Sequence, residues 1–175
     1  MFFQIFAYLT EAVIVYMYIQ NIYEPKRNRS KSFITILCSY LVLFFIYKYL
    51  INIEFVNTIL ITIINILIIY IGFKSSLKSS IFHGIILCVL QIISEFLTAY
   101  ITSFIYNISI QNSIDNHFEI GVVLSRILYF LFSNFLSRIS VRETDVKTWG
   151  KWFILSLLPL SSILIIIVLK IITGN

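Results

Sequence analysis

Six stretches of this chain are long and apolar enough to cross a bilayer, and short polar segments separate them. A hydrocarbon core of about 30 Å needs roughly 20 apolar residues in a helix. The stretches are residues 2–23, 33–51, 56–73, 81–106, 119–136 and 152–172. The pattern predicts an all-α, polytopic membrane protein: a six-transmembrane-helix bundle forming a single transmembrane domain over residues 1–175, with no soluble domain. Each stretch except the most apolar ones carries polar residues at steps of three and four. On a helix such spacing collects them on one face.

The fourth stretch, IFHGIILCVLQIISEFLTAYITSFIY, shows this most clearly. Gly84, Cys88, Gln91, Glu95, Thr98 and Thr102 form a continuous polar stripe. A stripe with a carboxyl group near mid-span is expected to face a protein interior or a cavity. In the first stretch Gln4, Tyr8, Glu11, Val15 and Tyr18 share a face. In the fifth, Arg126 lies beside Ser125, Tyr129, Ser133 and Ser137. At 1.5 Å per residue, Arg126 sits on the order of 10 Å from one membrane surface and Glu95 roughly 16 Å from the same surface. Spans four and five are antiparallel neighbours, so a Glu95–Arg126 pair is within reach of the arginine side chain.

Composition fits the membrane reading. The 175 residues are 59% hydrophobic and 12% charged, well outside the range of soluble domains. The net charge of +5 does not point to nucleic acid, because the basic residues are scattered through short loops. They report topology instead. Lys26, Arg27, Arg29, Lys31, Lys74, Lys78, Arg138, Arg142, Lys147 and Lys151, ten of the thirteen Lys and Arg, fall in or beside loops one, three and five. The positive-inside rule then places the odd-numbered loops in the cytoplasm and the N-terminus outside. The expected location is a plasma membrane, multi-pass. Trp149 and Trp152 read as interfacial anchors, and Pro159 as the site of a kink in the sixth span.

Candidate chemistry is sparse. Intramembrane charges cost about 2.5–3.5 kcal/mol each on insertion scales, so they call for a role. Two roles are open for Glu11, Glu95 and Arg126: a ligand or signal site opening outward, or a structural pair that holds helices together. Gln91, Thr98 and Tyr129 join them as candidate signal-binding residues. Asn65, on the Thr58–Thr62–Asn65–Gly72 face, reads as a hydrogen-bonding tie between helices. Cys38 and Cys88 read as buried free thiols, without metal or disulfide spacing. A membrane peptidase built on Cys88 and His83 is disfavoured, because five residues of helix turn them roughly 140° apart. His83 reads instead as an interfacial histidine. No nucleotide loop, metal pattern or cofactor motif is present, and no catalytic residue is assigned.

The central Glu11 of span one, the basic KRNRSK loop, the ISEF of span four, the LSRILYFLF of span five and the LLPLSSILII of span six together resemble a known family. It is the N-terminal membrane sensor region of GHKL-type, accessory-gene-regulator-like quorum-sensing histidine kinases. The resemblance spans the whole chain. It implies a bacterial receptor module that binds an extracellular peptide or small ligand, sits in the lipid bilayer, forms homodimers and feeds a two-component system. The kinase and ATP-binding parts have no counterpart in these 175 residues, so no enzymatic activity carries over. The size and span count also fit the substrate-binding subunit of a six-span vitamin importer.

Overall fold

The computed structural model describes residues 2–51, 54–110, 112 and 117–139. Among them every regular element is helical: α1 (Phe2–Ile22), α2 (Arg29–Ile46), α3 (Glu54–Gly72), α4 (Leu77–Tyr106) and α5 (Phe118–Ile139). A single π-turn, Tyr47–Ile51, extends α2. Four helices, α1, α2, α4 and α5, are long and apolar enough to span a membrane. The apolar run of α3, Val56–Gly72, is shorter. The sixth predicted span, with Pro159 and both tryptophans, lies outside the described residues.

The helix ends follow from local chemistry. Ser76 starts α4, its hydroxyl accepting from the Ser79 amide at 3.3 Å. Asn107, in the left-handed region at φ 52°, stops it. The Asn107 amide then donates to the Phe104 carbonyl and the Ile108 amide to the Ser103 carbonyl, a Schellman pattern. Beyond that stop the rings of Tyr106 and His117 stack at 3.9 Å between centroids, bracing the α4–α5 connection.

Each helix packs on its neighbours in sequence, and α5 returns to pack on α1, which closes a ring of five. The buried interior draws on every helix, including Tyr18, Ile19, Tyr40, Leu43, Ile69, Leu87 and Tyr129. Helices α3 and α4 cross tightly at Gly84. A methyl group added at Gly84 would overlap Ile66 Cγ1 and lie 3.3 Å from the Ile66 amide nitrogen. A small residue is therefore required there, as at other tightly packed membrane helix crossings.

The first and third loops meet at one end of the bundle. The Lys26 amide donates to the Gly72 carbonyl and the Lys74 amide to the Glu24 carbonyl, both at 2.9 Å, around a bridge between Pro25 and Phe73. The ammonium of Lys26 donates to the Tyr70 carbonyl at 2.7 Å, and an exposed ion pair joins Lys74 to Glu24 at 3.2 Å. Two loops that the charge count assigns to one side are thus hydrogen-bonded to each other.

Polar residues also tie helices laterally. Tyr40 of α2 donates to Asn65 Oδ1 of α3 at 2.7 Å, which gives Asn65 the tying role expected of it. Tyr8 of α1 donates to Asn57 of α3 at 2.9 Å. One expectation needs correction. Cys38 is exposed, because it lies across α2 from the buried Ile36–Tyr40 face; Cys88 is buried, and both thiols are free. His83, the seventh residue of α4, is 2% exposed and is bonded to the Tyr18 hydroxyl at 2.8 Å.

Candidate functional site: a charge junction between three helices

Three helices each deliver one charged side chain to the same point. Glu11 lies midway along α1, among Tyr8, Ala12, Ile14 and Val15, all buried. Its carboxyl group is carried inward because the i, i+3, i+4 positions of α1 all face the core. Arg126 comes from α5, whose inward face is lined by Ser125, Tyr129, Ser133 and Ser137, none more than 5% exposed. Three serines there let α5 approach its neighbours closely. Glu95 and Gln91 come from successive turns of α4.

Arg126 spans the two carboxylates. Its Nη2 lies 3.4 Å from Glu11 Oε2 and its Nη1 lies 3.3 Å from Glu95 Oε1. Gln91 Nε2 repeats the bridge, donating to Glu11 Oε2 at 3.4 Å and to Glu95 Oε1 at 3.2 Å. The expected Glu95–Arg126 pair therefore forms, and Glu11 joins it. All four contacts are long beside the 2.7–2.9 Å or so of a tight charge-assisted bond.

The members differ in environment. The Glu11 side chain is 2% exposed and that of Arg126 12%, whereas that of Glu95 is 49% exposed. The α4 stripe thus points inward at Gly84, Cys88, Thr98 and Thr102, while Glu95 opens at its edge. A carboxylate deep in a membrane span is not left against hydrocarbon. Its open side calls for water, a ligand or further protein.

Several buried polar atoms here have no partner: Glu11 Oε1, Arg126 Nε, Thr98 Oγ1 and the Tyr129 hydroxyl. Native interiors leave few such groups. Tyr129 is fully buried, with Glu11, Arg126, Cys88 and Tyr18 as its electrostatic neighbours. Tyr40 is a hydrogen-bonding neighbour of the Glu11 carboxyl group, although its hydroxyl donates to Asn65 Oδ1 and Glu11 Oε1 itself meets no donor.

The six residues singled out from sequence fall unequally. Glu11, Gln91, Glu95 and Arg126 form the bonded junction. Thr98, 3% exposed, lies one turn along α4 on the same face, and Tyr129 one turn along α5. Sequence reasoning missed Tyr40 and Asn65 as its flank. The four-residue spacing of Ile36, Tyr40 and Phe44, continuous with the buried face of α2, was the available signal.

His83 and Cys88 are not brought together by any bond: His83 is paired with Tyr18, and Cys88 faces Thr62 and the carboxylates. Among the described residues no cluster of His, Cys, Asp or Glu has the makings of a metal site. No protein-family model, no curated protein and no solved structure matches this chain.

Proposed function

We propose that this protein is a membrane-embedded sensor module for an extracellular, peptidic signal, with the Glu11–Gln91–Glu95–Arg126 junction as its ligand-binding site. The observation that carries the reading is Glu95, half-exposed deep in a span and bonded to Arg126, whose buried Nε has no partner. A purely structural ion pair gains from closing completely around its charges. This one stays open on one side and loose throughout. The resemblance to sensor histidine kinase input domains supplies the signal class, and the output is a histidine kinase acting from the cytoplasmic side. The clip between loops one and three gives that side a rigid end, against which a rearranged junction can shift α4 and α5.

The test is direct binding. Peptides from the growth medium of cells that express the protein are labelled and applied to vesicles with and without it. Saturable, competable binding that falls at least tenfold in Glu95→Ala is the expected result. Absence of saturable binding overturns the proposal. A charge swap, Glu95→Arg with Arg126→Glu, separates the two roles of the pair: a structural pair tolerates the exchange with full ligand response, and a binding site does not.

A further inference from the structure

The junction carries two carboxylates and one guanidinium, so with all three ionised it holds one excess negative charge. The charge of Arg126 is already counted in that sum, and its two terminal nitrogens each contact one glutamate. What remains unmatched has a definite chemistry. Glu11 Oε1 is a buried acceptor without a donor, on a side chain 2% exposed. Glu95 offers acceptor capacity on its open side. Arg126 Nε is a buried donor without an acceptor, and the hydroxyls of Tyr129 and Thr98, from residues 0% and 3% exposed, serve as either. Low-dielectric surroundings make unpaired charges and polar groups costly, so the missing partner must complete several at once.

We infer that the junction captures a free peptide amino terminus. An α-ammonium supplies one positive charge and three donors for Glu11 Oε1 and Glu95. The carbonyl of the same first residue, two bonds from the ammonium nitrogen, supplies the acceptor that Arg126 Nε lacks. A simple cation meets only the first requirement. A carboxylate-bearing ligand meets only the second and adds to the excess negative charge. This inference rests on the receptor reading above and narrows it from a peptide to the end of the peptide that is read. Glu95, the open member, is the point of entry, and Glu11 the buried stop.

The experiment uses the full chain in phosphatidylcholine vesicles, which carry no net surface charge. The probes are two equimolar libraries of apolar heptapeptide amides, identical except that one has free amino termini and the other is N-acetylated. Saturable retention over empty vesicles is quantified by mass spectrometry. The expected result is at least tenfold preference for free amino termini, falling to about equal retention in Glu11→Gln and in Glu95→Gln. Glu95 is half-exposed, so Glu95→Gln keeps the test valid should Glu11→Gln fail to assemble. Equal retention of both libraries, or a free-amine preference that survives Glu95→Gln, overturns this inference and leaves the receptor reading standing. Saturable binding of neither library counts against the receptor reading itself.

Discussion

Two polar regions cross the interior of this bundle, and they are built to different standards. Towards the loop-one end, neutral groups pair closely. Tyr18 meets His83 at 2.8 Å, Tyr23 bonds to Ser79, Ser75 donates to the Ile69 carbonyl at 2.9 Å, and Asn21 reaches Ser137 at 3.1 Å. Seven residues back along α1 from Tyr18, at Glu11, the charged junction spans 3.2–3.4 Å at every contact and leaves buried atoms unpaired. Helices α1, α4 and α5 contribute to both regions, so the contrast does not follow from which of these helices take part. The neutral region satisfies its hydrogen bonds internally and fixes how the helices sit. The charged one leaves buried atoms unpaired, and the proposed binding role rests on that incompleteness.

The sharpest way to break this contrast is to remove the shared cation. Arg126→Leu leaves Glu11 buried beside Glu95 without a counter-charge. Breaking one partner of a buried pair costs about 3–5 kcal/mol. Detergent-solubilised protein is expected to lose its thermal unfolding transition or to show it far lower. The double replacement Glu11→Leu with Arg126→Leu removes both buried charges and is expected to recover most of that loss. If Arg126→Leu alone unfolds at the native temperature, the junction does not hold the helices at all.

A change outside both regions sets the scale for packing. Gly84→Leu drives a side chain into the Ile66 backbone and is expected to cost about 1–3 kcal/mol or more, with Gly84→Ala at the low end of that range. Partial proteolysis at the α3–α4 connection reads the loosened crossing.

The neutral region gives a smaller effect of different kind. Tyr18→Phe deletes the hydroxyl that faces His83 Nδ1, leaving the buried ring nitrogen without its partner, for about 1–3 kcal/mol. Stability should fall while the binding constant for the peptide probe stays within twofold. A parallel loss of binding would merge the two regions into one and undo the comparison.

Much of this contrast was legible in the chain before the fold was known, and the reasons are physical. Charged residues in apolar stretches are rare enough that Glu11, Glu95 and Arg126 stand out, and the helical period puts Gln91, Thr98 and Tyr129 beside them. Antiparallel neighbours of known rise per residue then bring Glu95 level with Arg126. What the period does not encode is which helix lies across the bundle. The return of α5 to α1, and hence the inclusion of Glu11 in one junction, depends on three-dimensional closure. The half-exposure of Glu95 was equally hidden, since a stripe of six positions spans enough arc for one member to lie at its edge. The burial of His83 was hidden for a related reason: a histidine near the start of a long helix can face its neighbours or stand clear of them, and the period does not say which.

Glu95→Gln carries the smallest expected change in stability and the most discriminating outcome. The side chain is half-exposed, and its bond to Arg126 is long, so the pair contributes little in the way of assembly. Replacing the carboxylate with a carboxamide keeps its shape and keeps an oxygen for Arg126 Nη1, while removing the excess negative charge. Unfolding is expected to shift by no more than about 1 kcal/mol, the range found for exposed pairs. Peptide binding, by contrast, should drop at least tenfold, because the charge that the ligand answers is gone. A protein that is equally stable and equally competent to bind would show that Glu95 is a bystander on the bundle surface. A protein much less stable would show that the open side is closed by protein, and the junction would then belong with the Tyr18–His83 region as part of the scaffold. Stability retained with binding lost is the result that keeps the two regions apart.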